Sequence, residues 1–304
     1  MNNTKGLKMM NKSKKPQRSF KRFIKKNGLN ILLIIPLIIF IFSFTIIPII
    51  KTIIISFQDQ NTAQWTFNNY TYVMSRSIFK ESVFNTLAIA AIGLVVQMVV
   101  GYFLASMLRK TFVGKGLART LVLLPMGVPT MVSGVAMLYL FSSSGYINEI
   151  LYRLHISSIP IDWTATKLLS LTVVTFADTW KVMPMVVMLF LSGLEAIPKE
   201  VYEAGNVDGA NAFQKFIYIT LPQLKATVTM TVLTRLVDLF RIFELPKVLL
   251  GESTPFLGTL AYQEKSYGNT SYSAVVSTLL LCIILITVTI YMIVFEREKK
   301  VKRV

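Results

Sequence analysis

Several charged side chains stand inside stretches that are otherwise apolar, among them Asp178, Lys181, Arg235, Asp238, Arg241 and Glu244. Charge is unfavourable in such surroundings unless it is paired or faces water, so these residues mark a polar pathway or an internal ion pair. A sugar-like solute is held by carboxylates that accept from its hydroxyls and by aromatic faces that cover its C–H surface. Asp178, Asp238, Trp180, Tyr139, Phe240 and Phe243 supply those types, and Arg235 or Arg241 would suit an anionic solute. The same residues admit a structural reading, in which Arg235 pairs with Asp178 or Asp238, and Phe240 and Phe243, three positions apart, pack on one helix face. No catalytic or metal-binding set is expected: His155 is the single histidine, and Cys282, the single cysteine, excludes an intrachain disulfide.

A second group of residues is polar and lies between apolar stretches, at positions 203–222, EAGNVDGANAFQKFIYITLP. Pro198 suits the first turn of a helix, and Glu200 and Glu203 then sit near the positive end of its dipole. Asp208 and Gly209 signal a turn. Asn211 with Gln214 three positions on matches an N-terminal capping pair, so a second short helix is expected there. Phe213, Phe216, Ile217 and Thr220 would share its inner face, Lys215 would face solvent, and Pro222 would end or kink it.

The elements that must carry these residues are helices in lipid. Of the 304 residues, 53% are hydrophobic and only 15% charged, a balance expected of an integral membrane protein. Apolar runs near 31–57, 83–108, 121–141, 168–194, 227–250 and 274–295 are each long enough for a bilayer core, which takes about 20 residues. This gives an all-α membrane protein with six spans, the fifth being the most interrupted by charge. Pro36 and Pro48 should bend the first. That run is longer than a signal-peptide core and lacks a small-residue cleavage pattern, so it reads as a retained span. Counted along the helices, Asp178 falls near the bilayer midplane, and Arg235 and Asp238 about 20 and 24 Å from the level of Pro222.

The net charge of +17 could suit nucleic acid, but its distribution favours membrane topology: ten of the 32 Lys and Arg precede Gly28 with no acid among them. Arg297, Lys299, Lys300, Lys302 and Arg303 follow the last run, and Arg109, Lys110, Lys115 and Arg119 border the connection between the second and third. By the positive-inside rule these segments are cytoplasmic, which an even number of spans allows for both termini, and segment 203–222 is then cytoplasmic too. The domain expectation is a basic tail at 1–28, a first span with an external loop at 29–80, a five-span core at 81–295 containing the polar segment 195–222, and a basic tail at 296–304.

The polar segment resembles the EAA loop of permease subunits in binding-protein-dependent ABC importers, whose pattern is E-A-A, three residues, G, nine residues, I-x-L-P. The matching positions here are Glu203, Ala204, Gly205, Gly209, Ile219, Leu221 and Pro222, with Asp208 in the turn; Gly205 replaces the second Ala. The resemblance continues along most of the chain and is most similar to the carbohydrate-uptake branch, in Pro36, Asn69 and Tyr70, Asn85 and Thr86, Gly101, Leu124 and Pro125, Gly145 and Asn148, Trp180 and Pro184, and Asp208 to Ala210. The stretch from Phe243 to Gly251 looks like the subunit type of the larger maltose permease, without its large periplasmic insertion.

This resemblance implies a type I importer permease fold in a bacterial or archaeal cell (inner) membrane. It implies a second permease subunit forming a heterodimer, two ATPase subunits that bind ATP and Mg, and an extracytoplasmic solute-binding protein, with membrane lipid around the assembly and no role for nucleic acid. The chain itself is expected to be a transport subunit with no enzymatic activity and no bound cofactor. It has no P-loop: Gly114 and Lys115 are followed by Gly116, and Arg109 stands where the first glycine would be. The expected cargo is a sugar or oligosaccharide. Glycerol-3-phosphate is an alternative within the branch, and an ion-driven secondary transporter is an alternative outside it, although no repeat relates the first three runs to the last three.

Overall fold

The computed structural model describes residues 20–301; the basic residues before Phe20 and after Val301 lie outside the described residues. Regular structure among the described residues is helical, apart from one isolated bridge between Gln58 and Trp65. Contacts divide the chain into a unit ending at Lys51 and a unit beginning at Thr52.

The first unit holds α1, Phe20–Ile41, a π-helical turn at Phe42–Ile46, and the start of α2, Ile47–Ser56. The chain stays helical through Pro36, so no break occurs there. Before Pro48 the helix widens by one residue per turn instead. A proline lacks an N–H and its ring presses on the carbonyl four residues back, here in Phe44, and a π turn gives that ring room. The apolar side chains from Leu32 to Phe44 are exposed.

In the second unit, α3 (Asn68–Ser75) is tied to the end of α2 by Asn69, which donates to the carbonyls of Ser56 at 3.1 Å and Gln58 at 2.8 Å. The central pair is α4, Ser77–Arg109, and α8, Lys167–Glu195. With 33 residues, α4 is about 50 Å long. The two helices approach closely because Gly101 has no side chain: a Cβ there would lie 2.4 Å from Val186 Cγ1. Ile89, Val174, Ala177, Leu239 and Phe256 form one buried cluster of this core, and Val186, Val187, Phe190, Leu194 and Leu224 another.

The third predicted span is not one straight helix. It consists of α5, Lys115–Leu123, a 3₁₀ turn at Leu124–Gly127, and α6, Thr130–Leu140, with a bend of 102°. Pro129 removes a donor and drives the preceding Val128 into extended backbone (ψ 129°), which helix cannot continue through. Carbonyls at the bend converge on Lys181 of α8, whose Nζ donates to Pro125 O at 2.9 Å, to Met126 O at 3.4 Å and to Val128 O. The loop that follows contains α7, Tyr146–Arg153, and is pinned by Asn148, which donates to Ile161 O at 2.9 Å and accepts from Ile161 N at 3.1 Å.

Beyond α8 come α9, Lys199–Val207, α10, Ala212–Gln214, a π turn at Lys215–Thr220, α11, Leu221–Gln223, and α12, Lys225–Phe240. The chain bends by 72° between α11 and α12. The fifth predicted span, 227–250, therefore ends early. Its last part is a separate helix, α13, Glu244–Leu250, packed so closely on α6 that a Cβ on Gly134 would lie 3.0 Å from Val248 Cγ1. Pro246 explains the division: in the first turn of α13 its missing N–H is harmless, whereas inside a continuous helix it would clash with the carbonyl of Ile242. Helices α14, Leu257–Ser266, and α15, Thr270–Val301, complete the fold. Among the described residues, four helices are long and apolar enough to cross a membrane, or up to six if each bent pair counts as one span.

Candidate functional site

The sequence EAGNVDGANAFQ builds a closed hairpin. Helix α9 ends in a Schellman motif: Gly209 adopts φ +73°, its N–H donates to Asn206 O at 3.1 Å, and Ala210 N–H donates to Gly205 O at 2.9 Å. The backbone at Gly209 is left-handed, a region costing an L side chain about 1–2 kcal/mol. Helix α10 opens with the expected capping box, Gln214 N–H donating to Asn211 Oδ1 at 2.9 Å and Asn211 N–H to Gln214 Oε1 at 2.8 Å. The arms are joined by Tyr202 OH and Thr220 Oγ1 at 2.9 Å. Gly205 is buried because Ile219 lies over it; a Cβ there would come within 2.7 Å of Ile219 Cδ1. The Gly-for-Ala departure thus makes room for a methyl group at the flexible end of its facing residue.

Two details of the second arm differ from expectation. Lys215 is half-buried rather than turned to solvent, and its Nζ donates to Asn206 Oδ1. Phe213 is exposed while Phe216 turns inward to meet the Tyr102 ring at 5.1 Å. The cause is the π turn at Lys215–Thr220, which lies ahead of Pro222 just as the turn at Phe42–Ile46 lies ahead of Pro48; the wider turn rotates the side chains away from a 3.6-residue register. Leu221 is exposed and Pro222 stands at the start of α11.

The hairpin is seated on α4 through Arg109. Its guanidinium lies 4.6 Å above the Tyr202 ring, and Nη2 donates to Ile197 O at 3.3 Å. The opposite side is open. Glu203, Ala204 and Asp208 are exposed, and Glu203 makes no hydrogen bond or ion pair among the described residues. Val207 is 88% exposed, and Tyr218 and Phe213 are also bare. Sequence reasoning did not single out Val207 or Tyr218; the available signal was large apolar side chains in a polar segment with no place in the inner face.

The intramembrane charges gather around Arg235, whose side chain is 4% exposed. Its Nη2 lies 2.9 Å from Asp178 Oδ2, Nη1 lies 3.1 Å from Asp238 Oδ2, and Nε donates to Gln97 Oε1 at 2.9 Å. Gln97 returns a hydrogen bond to Asp178 Oδ2 at 2.8 Å, and Arg241 approaches Asp238 Oδ1 at 3.4 Å. Two arginines and two aspartates balance in charge, and the network joins α4, α8 and α12. Gln97 was missed in the sequence, where a lone amide inside the apolar run 83–108 was its signal. Of the other residues considered for a solute pathway, Phe240 is buried, Phe243 packs on Tyr262 at 5.1 Å, Trp180 is partly exposed, and Tyr139 is exposed at the end of α6. The structure brings Asp178, Arg235 and Asp238 together; it does not bring Tyr139 into that cluster.

Comparison with known proteins agrees with this architecture. Residues 97–300 match the family model of the binding-protein-dependent transport system inner membrane component. The trehalose/maltose transport system permease protein MalF of Thermococcus litoralis is 31% identical over 89% of this chain and 95% of its own length. The arabinooligosaccharides transport system permease protein AraP of Bacillus subtilis is 29% identical, covering 87% of each chain. In structure, the chain resembles a bacterial ABC transporter involved in import of the acidic polysaccharide alginate, with a TM-score of 0.80 at 20% identity over 91% of this chain and 98% of that one. The chain is a member of the binding-protein-dependent transport system inner membrane component family, whose members are membrane transport subunits rather than enzymes.

Proposed function

We propose that this chain is the permease subunit of an ATP-driven importer for a sugar or oligosaccharide, working with a second, different permease subunit, two ATPase subunits and an extracytoplasmic solute-binding protein in a bacterial or archaeal cell membrane. Relatives named for trehalose, maltose and arabinooligosaccharides support the cargo class, and an alginate transporter of the same fold has been solved with a periplasmic protein bound to alginate pentasaccharide. In this reading both bent pairs cross the membrane, giving six spans, and the basic ends and the α9–α10 hairpin are cytoplasmic. The domain limits are those expected from the sequence, with the hairpin inside segment 195–222.

The observation that carries the coupling role is the hairpin's asymmetry: one side is locked to α4, while the other offers Glu203, Ala204, Val207 and Asp208, with Glu203 unpaired among the described residues. An ATPase cleft with a basic residue would receive that side, and Gly205, Gly209, Ile219, Leu221 and Pro222 set its shape. ATP and Mg act at the ATPase subunits. Force on the hairpin would pass through Tyr202 and Arg109 into α4, and the Arg235 network would carry α4, α8 and α12 together. Arg235 is already committed to Asp178 and Asp238, which favours a neutral solute over a phosphorylated one. Trp180 and Tyr139 are the aromatic surfaces left for it.

The test is Gly209→Val in the assembled importer. The left-handed backbone there disfavours a β-branched residue, whereas no neighbouring atom lies within 4 Å to clash. Membrane insertion should survive while solute uptake falls relative to ATP hydrolysis. Uptake at the wild-type level would remove the hairpin from the coupling path.

A further inference from the structure

We propose that the pocket between the end of α4 and the α9–α10 hairpin binds a phosphate-bearing ligand. The pocket has a volume of about 520 Å³, within the range of small-molecule sites. Arg109, Lys110 and Lys215 line it, together with Tyr102, Ser106 and Tyr202, and no carboxylate is among its lining residues. Three cations are therefore held around one concavity with no counter-charge inside it.

Their existing partners are all neutral. Arg109 rests on the Tyr202 ring and a backbone carbonyl, and Lys215 donates to the Asn206 amide. Lys110 is exposed and makes no side-chain bond among the described residues. By contrast, nearby Arg119 is neutralised by Glu195 at 2.7 Å. Concave, partly apolar walls focus the field of such cations and favour an anion. The four remaining Arg109 N–H donors and two ammonium groups match the several oxygens of a phosphate better than the pair of a carboxylate. The Tyr102 hydroxyl makes no hydrogen bond among the described residues and is a further donor, while the Tyr102 and Phe216 rings form a wall that suits the carbon side of an ester.

Two sources supply this chemistry: a phospholipid headgroup or a soluble phosphate. The pocket is read from side chains alone; its placement on the cytoplasmic side rests on the topology proposed above. The experiment uses the full importer purified in a neutral detergent without nucleotide. One arm titrates phosphatidylglycerol and follows binding by native mass spectrometry, with phosphatidylcholine as control; the other titrates inorganic phosphate by calorimetry. One site per chain should appear in at least one arm, and Lys110→Gln and Lys215→Gln should each weaken it about tenfold, as for loss of one charge-assisted hydrogen bond. Lys110→Gln breaks no internal bond, so a loss there is not a loss of fold. Preference for phosphatidylglycerol identifies the lipid, and saturable phosphate binding that Lys110→Gln weakens identifies the soluble ligand, because phosphate held at the ATPase subunits would not respond to that variant. Binding of neither probe, or binding that both variants leave unchanged, overturns the proposal. Failure of the chain to co-purify with ATPase subunits would instead overturn the importer reading, and the same titrations on the chain alone would still decide the pocket.

Discussion

Replacing Arg235 by methionine removes the cation at the centre of the buried network while keeping much of the side-chain volume. Asp178 and Asp238 would then face each other across the space it vacates, and Gln97 Oε1 would lose its donor. Removing one partner of a buried ion pair costs about 3–5 kcal/mol, because the remaining charge keeps its desolvation penalty without compensation. Arg235→Met should fall in that range, since the arginine is almost fully enclosed. Adding Asp178→Asn replaces the stranded carboxylate with an amide that can still bond Gln97. The double variant should therefore be more stable than the sum of the single effects by about 1–3 kcal/mol. Unfolding in mixed micelles titrated with sodium dodecyl sulfate, followed by tryptophan fluorescence, would measure all four forms. Equal midpoints for wild type and Arg235→Met, or strict additivity in the cycle, would refute the view that these charges form one structural unit.

Further outcomes follow from other contacts. Lys181→Met leaves the carbonyls of Pro125, Met126 and Val128 without their common donor; it should lower stability by about 1–3 kcal/mol and speed hydrogen exchange around the 102° bend, and unchanged exchange there would exclude a bracing role. Gly101→Leu should cost about 1–3 kcal/mol by overpacking against Val186, with partial rescue by Val186→Ala; a melting temperature unaffected by either change would show that α4 and α8 do not meet there. In the 142–166 loop, hydrogen bonds from the Thr164 side chain and backbone hold the Asp162 carboxyl below its ordinary value of 3.8. Its stabilising contribution is thus present above that value and lost as pH falls through the lower folded one; Thr164→Ala should raise the titration midpoint seen by carboxyl ¹³C resonance, and an unmoved midpoint would contradict the assignment.

The sequence by itself determined what local chemistry and composition control. Long apolar runs require helices in lipid, because an unpaired backbone cannot be hydrated there. Gly209 and the Asn211–Gln214 pair specify a turn and a cap through bonds that span only a few residues, so the hairpin was legible residue by residue. Pro246 was also a local signal for the end of the fifth helical run, but the apolar count across 227–250 masked it. Tertiary structure alone decided which of two uses the buried charges serve: Arg235 meets Asp178 and Gln97 across sequence separations of 57 and 138 residues, and no periodicity encodes such a meeting. It also decided that Lys181 would brace the bend near Pro129 and that Arg109, Lys110 and Lys215 would surround one pocket. Those relations depend on how separate helices pack, where close approach at Gly101 sets the geometry and side chains far apart in the chain become neighbours.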